Sequence, residues 1–249
     1  MKIDIVTLFP EMFNGPFNNS IIGRAADKHI LDIAFTNPRD FTYDKHHQVD
    51  DVPFGGGAGM VLKPEPFFRA VANIKKTLAP ESKSRILLMC PSGQPFSQQK
   101  ARQLAQYDSL LFICGHYEGF DNRITENLAD EAISIGDYVL TGGELACMVV
   151  VDAVSRMLPE VLGSEESAVT DSFYNGILEH PQYTRPREYK KMQVPDVLFS
   201  GDHAKIRLWR KRKALELTLL KRPDLLENYP LSEDELALLK KIKNDCTLI

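Results

Sequence analysis

The first segment of the chain alternates apolar and polar residues with the two-residue period of a β-strand. Residues 2–9 are rich in β-branched side chains and run into Pro10, where we expect the strand to end. A second alternating segment covers residues 31–36, and residues 16–29 between them carry the apolar spacing of a helix. The chain therefore begins with two predicted strands separated by a predicted helix.

The apolar spacings of strands and of helices both recur up to about residue 160. Helices are predicted from Pro64 to Leu78, from Ser97 onward, near residues 121–128 and from Glu144 to Leu158. Three strand-like segments lie among them, at residues 85–89, 110–114 and 132–140. Strands that alternate with helices predict an α/β fold with a mostly parallel sheet.

The pattern changes after Pro159. Residues 161–172 are acidic, small and polar, as is typical of a flexible linker. Beyond them the strand signals stop, and Ser232 with Glu235 forms the capping box of a last helix. We therefore predict an α/β domain over residues 1–160, a linker over 161–172 and a small all-helical domain over 173–249.

Composition excludes several classes of protein. The chain has 249 residues, of which 43% are hydrophobic and 26% charged, as is usual for a soluble globular protein. Its four cysteines lie far apart, which predicts neither a disulfide framework nor a zinc site and suits a reducing compartment. No signal peptide and no apolar segment of about 18 residues is visible, so we expect a soluble, intracellular protein without a membrane span.

Charge is distributed unevenly along the chain. The net charge is −4, yet residues 203–222 contain eight Lys or Arg and a single acid, Glu216. Arg207, Arg210 and Lys211 share one face of the predicted helix. This localised basic surface predicts a nucleic-acid partner, and the alternative is an ordinary solvated helix.

Generic nucleotide and metal motifs do not fit. The glycine-rich residues 55–59 match neither a Walker loop nor the G-x-G-x-x-G pattern. His46 and His47 are adjacent and have no further ligand at a suitable spacing, so we interpret both as surface residues.

Three loops follow predicted strands and carry small residues. They cover residues 90–94, 115–119 and 135–144. Each alone is compatible with a tight turn. Together they indicate a ligand site, because open α/β sheets bind ligands at the carboxyl ends of their strands and small residues let the backbone approach a ligand closely.

These loops belong to long motifs that resemble one family. The motifs include LFPEMF at 8–13, CGHYEGFDNR at 114–123, SIGDYVLTGGELACM at 134–148, AVTDSF at 168–173 and HPQYTRP at 180–186. The chain is similar, nearly end to end, to the bacterial tRNA (guanine-N1)-methyltransferases of the trefoil-knot superfamily. It departs from them in Cys90-Pro91-Ser92-Gly93, where relatives commonly have Ser-Pro-Gln-Gly, and in His116, where Arg is common.

The resemblance implies a bound S-adenosylmethionine. It implies a deep knot near residues 88–140, whose loops wrap the cofactor. The implied cofactor-binding residues are Leu88, Pro91, Gly115, Tyr117, Glu118, Ile135, Gly136, Asp137, Tyr138, Val139, Leu140, Gly142 and Gly143. Glu118 is also the implied ligand of a Mg²⁺ ion required for methyl transfer.

The resemblance also implies the catalytic residues, the substrate and the assembly. Asp171 would be the general base at guanine N1, and Arg156 would contact O6 of the guanine; for Asp171 a helix N-cap before Phe173 is the structural alternative. Arg207, Arg210 and Lys211 would bind tRNA, and the active site would be shared across a homodimer in the cytoplasm. A knotted rRNA methyltransferase and a non-catalytic RNA-binding protein remain alternatives.

Overall fold

The central strand of the protein is buried along its whole length. In the computed structural model, which describes residues 1–163 and 169–246, all six residues of β6 (Ser109–Cys114) are buried. A strand covered on both faces is expected to be apolar throughout, and SLLFIC is nearly so. Strand β6 therefore forms the middle of the sheet.

Five parallel strands make up this sheet in the order β2-β1-β6-β5-β7. The other four are β1 (Lys2–Val6), β2 (Asp32–Thr36), β5 (Ser84–Pro95) and β7 (Glu131–Ser134). A short antiparallel pair, β3 (Asp50–Asp51) and β4 (Val61–Leu62), lies outside it. The predicted α/β class with a parallel sheet is confirmed.

Helices cover both faces of the sheet. Leu110 and Phe112 of β6 belong to one hydrophobic cluster and Leu111 and Ile113 to the other, as the two-residue period requires. The first cluster contains residues of α2 (Ser20–Asp27), α4 (Gln98–Leu104) and α6 (Glu144–Ser155), whereas the second contains residues of α3 (Pro64–Lys75) and α5 (Asn122–Asn127). One short helix, α1 (Asn14–Phe17), and two 3₁₀ turns, Pro10–Phe13 and Pro38–Phe41, complete this part.

Several predicted boundaries were wrong, each for a local reason. Strand β1 ends at Val6 and not at residue 9, because the Phe9 N–H turns back to the Thr7 hydroxyl (3.0 Å). Strand β7 ends at Ser134 and not at residue 140, because the chain turns at Gly136 (φ +149°). Strand β5 continues past residue 89 to Pro95, but its pairing with β7 is interrupted between Met89 and Gln94.

The chain divides into two compact units, Met1–Glu165 and Glu166–Ile249. Residues 164–168 of the predicted linker lie outside the described residues. Among the described residues, no helix is both long enough and apolar enough to cross a membrane.

The second unit contains the predicted helices. Helix α7 (His203–Lys221) begins after Asp202, whose side chain accepts from the N–H groups of Ala204 and Lys205, and α8 (Asp224–Glu227) and α9 (Glu233–Cys246) follow. The predicted capping box is present: the Glu235 carboxylate accepts from the Ser232 N–H (2.8 Å), and the Ser232 hydroxyl accepts from the Glu235 N–H (3.3 Å).

A short hairpin that the sequence pattern did not predict precedes these helices. Strands β8 (Glu188–Tyr189) and β9 (Met192–Gln193) pair antiparallel across Lys190 and Lys191, which both have positive φ. Two-residue strands are too short to show a period, and the turn lacks the Gly or Asn that usually marks such a hairpin.

Candidate active site

A pocket of about 420 Å³ lies where β5, β6 and β7 end. It is formed by three segments, residues 89–92, 115–125 and 133–146. Most of the predicted cofactor-binding residues line it: Pro91, Gly115, Tyr117, Glu118, Ile135, Gly136, Tyr138, Val139, Leu140, Gly142 and Gly143. The three predicted segments therefore meet at one edge of the sheet, although residues 90–94 are not a loop but the irregularly paired end of β5.

Two of the predicted cofactor-binding residues are placed elsewhere. Leu88 is fully buried in β5 within the hydrophobic cluster that faces α3. Asp137 belongs to the loop between β7 and α6 but is not among the residues that line the pocket. Only the backbone of Leu88 is therefore suited to a contact with a ligand.

A buried carboxylate that the sequence analysis missed lies beneath the pocket. Glu144, in the first turn of α6, is fully buried. Its Oε1 accepts a hydrogen bond from the Thr7 hydroxyl (2.6 Å), and its Oε2 lies 2.8 Å from His116 Nε2. A carboxylate near a helix N-terminus is stabilised by the helix dipole. The only signal in the sequence is its position directly after Gly142-Gly143.

His116 connects this carboxylate to the rim of the pocket. Its ring lies 4.6 Å from that of Phe9, centroid to centroid, and its backbone forms an isolated bridge with Gly142. A Cβ atom at Gly142 would collide with both the His116 ring and the Glu144 carboxylate. Glycine is therefore required there for the two loops to approach each other.

The glycine-rich segment that matched no nucleotide motif is followed by residues that form backbone hydrogen bonds with one of the segments lining the pocket. The Glu118 N–H donates to the Met60 carbonyl (3.0 Å), and the Leu62 N–H donates to the Gly119 carbonyl (2.9 Å). Gly59 has φ +81°, and a Cβ atom there would collide with the Glu118 side chain. The end of the glycine-rich segment thus positions Glu118, a role that its sequence motif did not predict.

The two predicted catalytic residues lie in different compact units. Arg156 directly follows the last residue of α6 in the first unit and is half-buried. Asp171 is half-buried in the second unit, where its carbonyl accepts from the Tyr174 N–H (3.2 Å). No helix begins at Phe173 in the described chain, so the alternative role of Asp171 as a helix N-cap there is wrong.

The three predicted tRNA-binding residues are exposed on α7 but differ in their surroundings. Lys211 forms an ion pair with Glu235 (3.0 Å). Burial raises the pKa of Glu235, but the Ser232 N–H and the Lys211 ammonium lower it more, to about 2. The Lys211 ammonium group therefore already has a partner on another helix. Arg207 and Arg210 form no ion pair with a carboxylate in the described part of the chain.

Potential metal ligands are dispersed over the described chain. Residues 1–163 and 169–246 contain no group of three or more His, Cys, Asp or Glu side chains that could hold an ion. His46 and His47 are both exposed, as the sequence predicted.

These features define an α/β protein with a ligand pocket at the carboxyl edge of a parallel sheet and a separate basic helical unit. Residues 1–228 match the family model described as tRNA (Guanine-1)-methyltransferase TrmD. The chain belongs to this enzyme family, as the resemblance predicted, and with it to the trefoil-knot fold class.

Curated relatives cover almost the whole chain. A protein of Bacillus licheniformis is 56% identical over 98% of this chain and 100% of its own length. A protein of Staphylococcus carnosus is 56% identical over 98% of each chain, and one of Desulforamulus reducens is 54% identical over 98% of this chain and 96% of its own. All three are named tRNA (guanine-N(1)-)-methyltransferase.

Proposed function

We propose that this protein transfers a methyl group from S-adenosylmethionine to N1 of the guanosine on the 3′ side of the anticodon, position 37 of tRNA. Family membership supports the reaction class. The observation that carries the proposal is the pocket where the irregular end of β5 meets the loops that follow its two neighbours in the sheet, β6 and β7. Neither alternative, an rRNA methyltransferase or a non-catalytic RNA-binding protein, is favoured by the family match.

The pocket suits the methyl donor that the family implies. Its volume of about 420 Å³ lies in the range of small-molecule sites, roughly 300–1,000 Å³. Ile135, Val139 and Leu140 offer apolar contacts, and Glu118 offers a carboxylate to the positively charged end of such a ligand. When bound, S-adenosylmethionine supplies an electrophilic methyl group on its sulfonium centre.

Asp171 and Arg156 would act on the guanine. N1 carries a proton and becomes a nucleophile when that proton is removed, so a general base is needed beside it. Asp171 would accept the N1 proton, while the Arg156 guanidinium would stabilise the negative charge that develops on O6. Together they would raise the nucleophilicity of N1 during methyl transfer.

Magnesium would be held jointly by the protein and its ligand. Mg²⁺ keeps several waters and commonly binds through one or two carboxylates together with groups of the substrate. Glu118 lines the pocket and can supply one such carboxylate. We place a Mg²⁺ contact at Glu118 on this basis.

The basic helix would bind the tRNA backbone. Arg207 and Arg210 are exposed on α7 and would contact phosphates. Lys211 would contribute less, because its ammonium group already pairs with Glu235. Because its substrate is tRNA, we expect the enzyme to work in the cytoplasm.

An apolar surface on the first unit supports a homodimer. Leu145 and Val149, one turn apart on α6, are each 48% exposed. Phe9 and Met12 are each 40% exposed, and Met12 belongs to the 3₁₀ turn Pro10–Phe13 that contacts α6. Exposed apolar residues that cluster in this way are typical of protein interfaces. We propose that this surface pairs two copies of the chain around a two-fold axis, with each active site combining the pocket of one copy and Asp171 of the other.

Detection of the modified nucleoside tests the proposed reaction. The protein is incubated with S-adenosylmethionine carrying a labelled methyl group and with tRNA that lacks this modification, and the tRNA is then digested to nucleosides. We expect the label in 1-methylguanosine. Label in another nucleoside of tRNA would contradict the proposed reaction. In a parallel incubation with rRNA, label in rRNA but not in tRNA would favour an rRNA methyltransferase, and no label in either would favour a non-catalytic RNA-binding protein.

A further inference from the structure

A second cavity, of about 470 Å³, lies entirely within the second unit. Its walls come from residues 180–187, from residues 194–199 and from α7. The residues that matter for its chemistry are His180, Tyr183, Arg185, Arg187, Trp209 and Arg210. None of these residues lines the pocket of the first unit.

One wall of this cavity is aromatic. The Trp209 ring lies 6.3 Å from the ring of His180 and 6.3 Å from that of Tyr183, centroid to centroid. Trp209 is only half-buried, and Tyr183 is 49% exposed. Both rings are therefore accessible in part to a ligand that enters the cavity.

Three arginines, Arg185, Arg187 and Arg210, also line the cavity. Arg185 and Arg210 are exposed and pair with no carboxylate among the described residues. Arg187 is held in place by Asp196 (2.9 Å) and by the Phe199 ring, whose centroid lies 4.3 Å from its guanidinium carbon. No Asp or Glu of the described chain lines the cavity, although the protein as a whole carries a net charge of −4.

Aromatic faces next to free guanidinium groups are the combination that binds single-stranded nucleic acid. Bases stack on aromatic side chains whatever their identity, while Arg side chains neutralise the backbone. An aliphatic ligand would leave the arginines unused, and a phosphate alone would leave the rings unused. The chemistry of this cavity therefore fits a ligand that has both a flat ring and a negative charge.

We propose that this cavity binds one unpaired nucleotide of the RNA substrate, with the base stacked on Trp209 and the phosphate held by Arg185 and Arg210. This inference rests on the proposed function, because that function makes RNA the ligand. It assigns to the second unit a base-binding site in addition to contacts with phosphates. Stacking tolerates any base, so this site contributes affinity and placement, not sequence recognition.

The protein contains its own reporter of this site. Trp209 is the single tryptophan of the chain, so intrinsic tryptophan fluorescence reports on this cavity alone. The full-length protein is titrated with a seven-nucleotide single-stranded RNA and, separately, with inorganic polyphosphate of similar charge. We expect saturable quenching by RNA and little by polyphosphate. Equal quenching by both would overturn a stacked base.

Substitutions separate stacking from charge. Trp209→Leu is expected to weaken RNA binding about 10-fold and Trp209→Phe by less than about 3-fold, because Phe can still stack. Tyr183→Ala should also weaken binding, whereas Leu208→Ala, the adjacent and 60% exposed residue outside the cavity, should not. Arg210→Gln should weaken binding, and its matched control Lys221→Gln, on the same helix, should be near normal.

The outcomes distinguish this proposal from the proposed function. Thermal unfolding checks that each variant is folded. If Trp209→Leu does not fold, the fluorescence titration of the unmodified protein and the RNA affinity of Tyr183→Ala still test the cavity proposal. Unchanged RNA affinity in folded Trp209→Leu and Tyr183→Ala would overturn the cavity proposal even if 1-methylguanosine is formed. Quenching by RNA without formation of 1-methylguanosine would overturn the proposed reaction and leave the cavity assignment standing.

Discussion

His116 Nε2 lies 2.8 Å from Oε2 of the fully buried Glu144. The Glu144 carboxylate has one other side-chain partner among the described residues, the Thr7 hydroxyl at 2.6 Å. A buried carboxylate must keep its hydrogen bonds, because an unsatisfied charge in the interior is costly. This pair therefore links the stability of the first unit to the loop that forms one side of the pocket.

Removal of the imidazole is expected to weaken both the fold and the pocket. His116→Ala leaves the Glu144 carboxylate short of a donor, so we expect a loss of about 2 kcal/mol in the free energy of unfolding and weaker S-adenosylmethionine binding. His116→Gln keeps a donor at this position and serves as the control. Urea unfolding and calorimetric titration measure the two effects. Equal behaviour of the two variants would show that the hydrogen bond is unimportant.

A substitution of the proposed base is expected to affect the chemical step alone. Asp171→Asn preserves the size of the side chain but removes its basicity, so kcat should fall by roughly 10²-fold or more, with S-adenosylmethionine affinity unchanged. Asp27→Asn, at the exposed end of α2, is the matched control. A near-normal single-turnover rate for Asp171→Asn would exclude this residue as the base.

The sequence predicted the elements of the first unit better than the contacts between them. Strand β6 was predictable because residues 110–114 form a continuous apolar segment, as is typical of a strand that is buried on both faces of a sheet. The roles of Glu144 and Gly59 were not, because each depends on a partner distant in the chain, Thr7 and Glu118 respectively.

In the second unit, too, the sequence predicted local contacts but not contacts between residues that are distant in the chain. Ser232 and Glu235 were predictable as a capping box, since the motif is local in the sequence. Lys211 was grouped with Arg207 and Arg210 by helical spacing alone, yet its partner Glu235 lies on another helix. Spacing identifies a shared face, but it cannot show which charges on that face are already paired.

The salt dependence of tRNA binding tests the basic helix. Replacement of Arg207 and Arg210 with Gln should flatten the log–log salt slope by about 0.7 for each phosphate of single-stranded RNA that is no longer neutralised. Lys211→Gln should change the slope less but lower the melting temperature, because it removes the ion pair with Glu235. If Lys211→Gln flattened the salt slope as much as replacement of either arginine, Lys211 would contact the RNA as the arginines do, and its ion pair with Glu235 would not reduce its contribution.

Complementation between inactive variants tests the shared active site. Asp171→Ala removes the base, and Thr141→Trp places a large ring at an exposed position that lines the pocket. After subunit exchange, half of the dimers are hybrids with one intact pocket and one intact base, so activity should recover to about a quarter of the unmodified enzyme's activity.

The controls for this experiment are binding and assembly. Thr141→Trp must lose S-adenosylmethionine binding while its melting temperature stays near normal. Light scattering must show a dimer. No recovery of activity after confirmed subunit exchange would place the pocket and Asp171 of each active site in the same copy of the chain.

The position of the methyl group in the tRNA tests the proposed reaction most directly. Two tRNA transcripts that differ only in having G or A at position 37 are treated with the enzyme and S-adenosylmethionine and then copied by primer extension. Because a methyl group on N1 blocks the pairing edge of guanine, we expect a stop adjacent to position 37 in the first transcript and none in the second. A stop at another guanosine, or an equal methyl uptake by both transcripts, would contradict it.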